Sequence, residues 1–362
     1  MECSRTSVKH SLFIIHNSHL LMVETIQVSQ QEMYATFKSI LKDHGFDEDQ
    51  AGMCAQIFTN NSVDGVYTHG VNRFPRFVSN VATGHVKPGV VPSLEHKFGA
   101  MEQWDGNFGA GPSNAVHATD SAIRLADEYG LGCVALANTN HWMRGGTYGW
   151  QAAKKGYVFI GWTNTIGNMP AWGAIDNRLG NNPLVIAIPF NSEAIVLDMA
   201  MSQYSFGAME LAEIKNESFP VPAGYDMNGR LSNSPSDILQ SRRPLPIGFW
   251  KGAGLALLLD ILATILSNGW STLEISKREV EFGLSQVFVA ISIEKLGNRS
   301  SIPTLIEQII DDYHQSSPAD NQRGIVYPGE RVLQTRKLNT ERGIPVLKTI
   351  WEGIVALKGK KD

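Results

Sequence analysis

Residues 106–146 read GNFGAGPSNAVHATDSAIRLADEYGLGCVALANTNHWMRGG, and the fold class turns on them. A glycine-rich loop, Gly106 to Gly111, comes first. Pro112 follows it, a residue suited to the first turn of a helix. A helix is predicted through Ile123 and Leu125 to a stop at Gly130. The apolar run Cys133 to Ala137 then reads as a strand and delivers the polar cluster NTNHWMRGG. Helix, strand and polar loop in that order belong to an α/β protein. Yet the glycines do not follow GxGxxG, and no clear strand is predicted ahead of them. The loop reads as a turn first and a phosphate contact second, so a Rossmann dinucleotide fold is not supported.

Working outward toward the N-terminus, Ser29 with Glu32 reads as a capping box. Met33, Phe37, Ile40 and Leu41 fall on one helical face, and Gly45 ends that helix. Asp47 with Gln50 marks a second start, with Met53, Ile57 and Phe58 expected to face inward. This helical pair leads into DGVYTHGVNRFPRF (64–77). Toward the C-terminus, strands are predicted at Val158–Trp162, Leu184–Ile188, Ala194–Leu197 and Val287–Ile293. Residues 207–249 lack periodicity and are expected to form a long irregular excursion, uncommon unless functional. Leu255 to Leu266 is almost continuously apolar and is predicted to be a buried helix, too short to cross a bilayer. There is no internal repeat. Ordered sequence is expected to begin near Met22, with residues 1–21 a disordered extension or a product of start-site choice.

The chain has 362 residues with 31 basic and 35 acidic side chains, a formal charge of −4. A near-neutral balance excludes the field needed to hold nucleic acid or an anionic membrane. Cys3, Cys54 and Cys133 form no CxxC pair and no zinc pattern, so no metal site is expected. Their sparse, odd number fits a reducing, cytoplasmic setting. The chain also lacks GxSxG, HExxH and GxxxxGK[ST].

Four places could carry chemistry. His69 and Arg73 are four apart, and a helix after Thr68 would set them on one face about 6 Å apart. An arginine can grip a carboxylate through two parallel hydrogen bonds, and a histidine can protonate the adjacent carbonyl oxygen as hydride arrives. The plainer alternative is a surface or capping pair. His141 sits in a dense polar loop beyond a strand, where ligand sites often lie; a turn held by its own asparagines is an equal alternative. Asp198 ends the strand AIVLDMA and could orient a histidine, bind a ribose hydroxyl or cap the next segment. Lys251 beside a helix start could meet a phosphate, or simply be solvated.

Taken in order, YTHGVNRFPRF (67–77), NHWMRGGTYGWQAAKKGYVFIGWTN (140–164), MPAWGA (169–174) with GNNPL (180–184), VLDMAMS (196–202) and GFWKGAGLALLLD (248–260) give the chain a recognisable character. It resembles the malate/L-lactate dehydrogenase family that does not use a Rossmann fold. The tryptophans of HWMRGG and FWKG point to its diketogulonate branch. The resemblance implies an α/β fold of the malate/L-lactate (sulfolactate) dehydrogenase kind with an N-terminal helical region. It implies a helical region at 22–120 carrying the catalytic histidine, a cofactor-binding α/β region at 121–330, and a C-terminal helical segment at 331–362 packing back on the first. It implies a homodimer or larger assembly reducing a small 2-keto acid with NADH, NADPH being the other option. His69 matches the family's proton donor, Arg73 the residue facing the substrate carboxylate, and His141 a histidine near substrate and nicotinamide. Ala194, Ile195, Val196, Leu197, Asp198, Met199 and Ala200 match a stretch that binds the dinucleotide. Trp250 and Lys251 match a second stretch, and Gly329, Glu330 and Arg331 in YPGERV match a third. The sequence departs from the pattern in two places. The turn FNSEAIV (190–196) is one residue longer, and Ala208 and Met209 follow Gly207 where many members carry lysine. Other 2-keto or 2-hydroxy acids (malate, lactate, ureidoglycolate), a cyclic imine acid, or a binding protein without turnover remain as alternatives.

Overall fold

The structure, a computed structural model, describes residues 24–319 and 324–359, so the expectation for residues 1–21 lies outside it. Strand β1 (Thr25–Val28) leads into α1 (Gln30–Asp43), where Ser29 Oγ accepts the N–H of Glu32 at 3.1 Å. Met33, Phe37, Ile40 and Leu41 are buried on its inner face, as the spacing predicts. Helix α2 (Glu48–Val63) starts where Asp47 Oδ1 accepts the N–H of Gln50 at 2.7 Å. Ile57 and Phe58 are inside, but Met53 is 38% exposed. The inward place belongs to its neighbour Cys54, and Met53 lies on the flank beside Val116 and His117.

The turn that follows also departs from the helix expected after Thr68. Tyr67–His69 is a short 3₁₀ turn, and α3 (Phe74–Ala82) begins only after Arg73. No helix joins His69 to Arg73. The break is at Gly70, where a Cβ would lie 2.2 Å from Ser62 Oγ on α2. Close approach to α2, rather than helical spacing, sets the two residues.

The hairpin β2 (Ser93–Phe98) and β3 (Met101–Asp105) precedes the glycine loop, so the loop does have a strand ahead of it. Every residue of β2 is exposed and β3 buries only Glu102, which leaves no apolar period to read. The loop leads into α4 (Gly111–Tyr129), with Pro112 in its first turn and Gly130 at its end, and β4 (Leu131–Thr139) follows. The N–H groups of Gly106 and Phe108 donate to the carbonyls of Ala137 and Asn138, and the Asn140 amide donates to the carbonyls of Phe108 and Gly109. The loop is a packed turn.

Helix α5 (Gly146–Ala153) and β5 (Tyr157–Thr163) come next, then the short pair β6 (Met169–Pro170) and β7 (Asn177–Leu179), and the hairpin β8 (Leu184–Phe190) and β9 (Glu193–Met199). The excursion contains α6 (Phe206–Ile214), the two-residue strands β10 (Gly224–Tyr225) and β11 (Leu231–Ser232), and α7 (Pro235–Ser241). Helices α8 (Trp250–Ser267) and α9 (Thr272–Ile275) precede β12 (Leu284–Ser292). Helices α10 (Ile302–His314) and α11 (Glu330–Arg342), strand β13 (Ile344–Leu347) and α12 (Lys348–Val355) complete the described chain.

Seven strands form the main sheet in the order β2-β3-β4-β12-β5-β8-β9. Within this sheet, among the described residues, the β3–β4 pair alone is parallel. Alternation puts Val134 and Leu136 against α4 and α5 on one face, and Ala135 and Val287 against α8 on the other. Strand β13 pairs antiparallel with β1, so Trp351 and Ile354 of α12 join Phe37, Phe58 and Phe74 in the core of the N-terminal helices.

Helix α8 is not the buried helix expected. Ala253, Ala256, Leu259 and Ala263 face the sheet, while Leu257, Leu258, Ile261 and Ile265 are 48%, 56%, 44% and 62% exposed. A run apolar on all sides carries no period, so the sequence could not tell its faces apart. Small residues let α8 approach the sheet, and the larger ones line the outer face.

Candidate active site

The turn after α2 and the loop after β4 bring two imidazoles together. His69 and His141 have ring centroids 5.7 Å apart and planes 23° from parallel. His69 Nδ1 lies 3.0 Å from Thr68 Oγ1. Its Nε2 has no protein partner among the described residues. The backbone N–H of Met143 donates to His141 Nδ1 at 3.0 Å. That bond fixes the neutral ring with its proton on Nε2, ready to donate.

Arg73, Arg76, Asn80, His141 and Glu281 line one small pocket. Among the described residues, Arg73 makes no ion pair, and its neighbours Arg76 and Glu281 act on it by charge alone. Desolvation lowers its pKa from the ordinary value, Arg76 adds to this and Glu281 opposes it. A half-buried guanidinium with its hydrogen-bond donors free of protein carboxylates can bind an anionic group.

Burial also pushes the His69 imidazole down to about 4. The Asp198 carboxylate works the other way, favouring the imidazolium, and Arg73 and Arg144 oppose it. His141 is held well below the usual imidazole range by burial first, then by Arg73, His69 and Arg76. Both rings are thus neutral at neutral pH, and an anion beside Arg73 would favour protonation of either one.

Asp198, at the end of β9, accepts the Gly146 N–H through Oδ2 at 2.8 Å and lies 3.8 Å from Arg144 Nε. Arg144 donates in turn to the buried carboxylate of Asp64. Arg336 on α11 donates to the same carboxylate at 2.6 Å and reaches Glu193 at 3.2 Å. Both guanidiniums lie near the indole of Trp150, 4.7 Å from the ring centre for Arg144 and 5.0 Å for Arg336. This network ties α2, the His141 loop, β9 and α11 into one frame. The sequence places Arg144 within the polar loop and Asp198 at a strand end, and gives no signal for Asp64, Arg336 or Glu281. No spacing rule connects Asp64 to a partner 272 positions away.

Two of the stretches matched to dinucleotide binding each meet the third, β9, at a different point along it. The Val196 N–H donates to Pro328 O at 2.9 Å, and a Cβ on Gly329 would lie 3.2 Å from Val196 N, so the YPGERV segment lies along β9. Just past β9, the Ile247 N–H donates to Met201 O at 2.8 Å, which draws the start of α8 to the same strand end. Trp250 and Lys251 are exposed there, and Phe249 caps α8 without a side-chain bond. Arg331 is exposed in the first turn of α11, which also has no side-chain cap. Two uncapped helix starts, each with a solvent-facing cation, are of the kind that can bind an anionic group. Glu330 points elsewhere: its carboxylate accepts the Tyr327 N–H at 2.9 Å and lies 3.1 Å from His314 Nε2. Gly207 packs against Thr68 with no side chain from Ala208 or Met209 required, which brings the start of α6 beside His69.

Similarity to known proteins agrees with this geometry. Residues 28–355 match the family described as malate/L-lactate dehydrogenase. The chain is 41% identical over 333 residues to a 2,3-diketo-L-gulonate reductase of Salmonella paratyphi A, covering 92% of this chain and 100% of that protein. Its fold is similar to malate dehydrogenase from Entamoeba histolytica, with a TM-score of 0.86 at 23% identity, covering 92% of this chain and 97% of the other. It is also similar to sulfolactate dehydrogenase from Methanocaldococcus jannaschii, with a TM-score of 0.83 at 25% identity, covering 92% and 96%. The missing glycine fingerprint, the mixed seven-stranded sheet and these matches over nearly the whole chain have one explanation: the protein belongs to the malate/L-lactate dehydrogenase family.

Proposed function

We propose that the protein reduces the C2 keto group of 2,3-diketo-L-gulonate, giving 3-keto-L-gulonate, with NADH as electron donor. A dehydrogenase of this family works with a nicotinamide cofactor; the choice of NADH over NADPH is part of the proposal. The observation that carries the reading is the unpaired Arg73 guanidinium in one pocket with His141, against which His69 is stacked. The name of the 41% identical relative supplies the substrate.

In this reading Arg73 holds the substrate carboxylate through two charge-assisted hydrogen bonds. The neutral His141 donates from Nε2 to a substrate oxygen. His69 gives the proton that the keto oxygen needs as C2 becomes a hydroxyl-bearing carbon. The nicotinamide supplies the hydride. The carboxylate of the substrate and that of Asp198 both favour the imidazolium form of His69, so binding loads the donor. The stretch Ala194–Ala200, with Trp250, Lys251, Gly329 and Arg331, forms the dinucleotide site; Glu330 serves it by holding the Tyr327 turn.

The outer face of α8, with Leu258 and Ile265 exposed, supports a homodimer, because apolar area of this kind is normally covered. Light scattering should give twice the chain mass, and Leu258→Glu with Ile265→Glu should give the single-chain mass. The thiols of Cys54 and Cys133 are free, which suits the cytoplasm. The direct test of function mixes purified protein with NADH or NADPH and 2,3-diketo-L-gulonate, oxaloacetate or pyruvate, and follows loss of reduced cofactor. Turnover fastest with the diketo acid and NADH is expected. No loss of cofactor with any keto acid would overturn the enzymatic reading.

A further inference from the structure

Among the described residues, Glu281 contributes the one carboxylate to the wall shared by Arg73, Arg76, Asn80 and His141. It is held in place, because Oε2 accepts the backbone N–H of Ile166 at 3.1 Å. Among the described residues its other oxygen has no donor. Its charge acts on Arg73, opposing the effect of Arg76.

A 2-keto acid needs a cation for its carboxylate and donors for its keto oxygen. Arg73, His69 and His141 meet those needs. An anionic acceptor serves neither end, and beside Arg73 it weakens the pull on the substrate carboxylate. Hydroxyl groups are what would use it: each O–H donates, and a carboxylate can only accept. A second carboxylate on the substrate would instead meet like charge.

We propose that Glu281 is a specificity residue that accepts hydrogen bonds from the hydroxyls of a polyhydroxylated keto acid and turns away keto acids bearing a second carboxylate. This rests on the 2-keto acid reading above and deepens it.

Glu281→Gln tests it, since the amide oxygen can still accept the Ile166 N–H while the charge is gone. In the full-length chain the ratio of kcat/KM for oxaloacetate over pyruvate should rise on the order of tenfold. The ratio for 2,3-diketo-L-gulonate over pyruvate should fall. Calorimetric binding of L-malate against L-lactate to the protein loaded with reduced dinucleotide, a pair that cannot exchange hydride, should move the same way. An unchanged malate-to-lactate ratio in a folded variant overturns the role of Glu281, even if the protein reduces keto acids well. A shifted ratio in a protein that reduces none of them overturns the reductase reading and leaves Glu281 in its role. Should the amide variant fail to fold, Glu281→Asp keeps the charge and shortens the reach. The diketo acid should then lose against pyruvate while oxaloacetate does not gain, and an equal loss on all three substrates overturns the proposal.

Discussion

The imidazole of His69 lies nearly parallel to that of His141, ring centroids 5.7 Å apart, although the two come from a 3₁₀ turn and from a loop after a central strand. The rings differ in what holds them. A backbone N–H fixes His141 as an Nε2 donor, whereas the ring of His69 has, among the described residues, a single hydrogen-bond partner, the hydroxyl of Thr68. The less constrained ring is the better candidate to exchange a proton. His69→Gln should therefore cut kcat by about a hundred- to ten-thousand-fold. Dinucleotide binding by fluorescence and the thermal midpoint should stay near wild type. Undiminished turnover across the pH range would exclude His69 as the donor.

Arg73 predicts a different kinetic signature. With no ion pair of its own, it should bind the substrate carboxylate in ground state and transition state alike. Arg73→Ala removes a charged hydrogen bond worth about 1.5–3 kcal/mol, so KM should rise by roughly ten- to a hundredfold with a smaller change in kcat. Arg73→Lys should recover only part of the loss, because an ammonium lacks the planar fork. A variant that lowers kcat while leaving KM untouched would move the carboxylate site away from Arg73.

Burial of the two histidines makes stability depend on acidity in a stated direction. The His69 pKa is lowered to about 4 in the folded chain, and that of His141 is also lowered. Unfolded, both return to about 6.5. The stabilisation is fully present above about 6.5 and is lost as pH falls toward 4, because the unfolded chain takes up protons that the folded chain refuses. For His69 alone this is about 3 kcal/mol at most. The thermal midpoint should fall across that window, and His69→Gln should flatten the fall. An equally steep fall in the variant would assign the acid sensitivity to other groups.

Much of the frame was legible because local rules suffice for it. Ser29 and Asp47 cap the helices their spacing predicts, and four strand predictions fall on β5, β8, β9 and β12. The failures share a cause: tertiary contact decided them. Gly70 breaks the helix that His69 and Arg73 would otherwise share because α2 passes too close. Strands β2 and β3 bury almost nothing, so their place in the sheet leaves no apolar alternation. Helix α8 is apolar all round, and only the size of its side chains distinguishes sheet side from outer side. Within the site, His69, Arg73 and His141 stood in quotable motifs. Glu281 and Asp64 stood in none, and only the folded chain brings them to the pocket and its frame.

Asp64 offers the sharpest test of that frame. Its side chain is 8% exposed and serves two guanidiniums, those of Arg144 and Arg336, both beside Trp150. Replacing it with asparagine keeps the volume and leaves two neighbouring cations without the carboxylate they share. Loss of one partner from a buried pair costs about 3–5 kcal/mol, so the thermal midpoint of Asp64→Asn should drop by roughly 5–15 °C. Arg336→Met in the same chain removes one of the stranded charges and should restore part of that loss, giving a coupling of about 1 kcal/mol or more in a double-mutant cycle. Arg144 also lies 3.8 Å from Asp198, whose charge favours the imidazolium of His69. When Asp64 no longer holds Arg144, the guanidinium is free to close on Asp198 and neutralise it. Reduction requires the protonated ring, so its kcat should then fall off at lower pH in Asp64→Asn than in wild type. Arg336→Met alone, which leaves Arg144 anchored, should lose stability without moving that profile. Equal pH profiles in all three proteins would make the network a brace for the fold and nothing more.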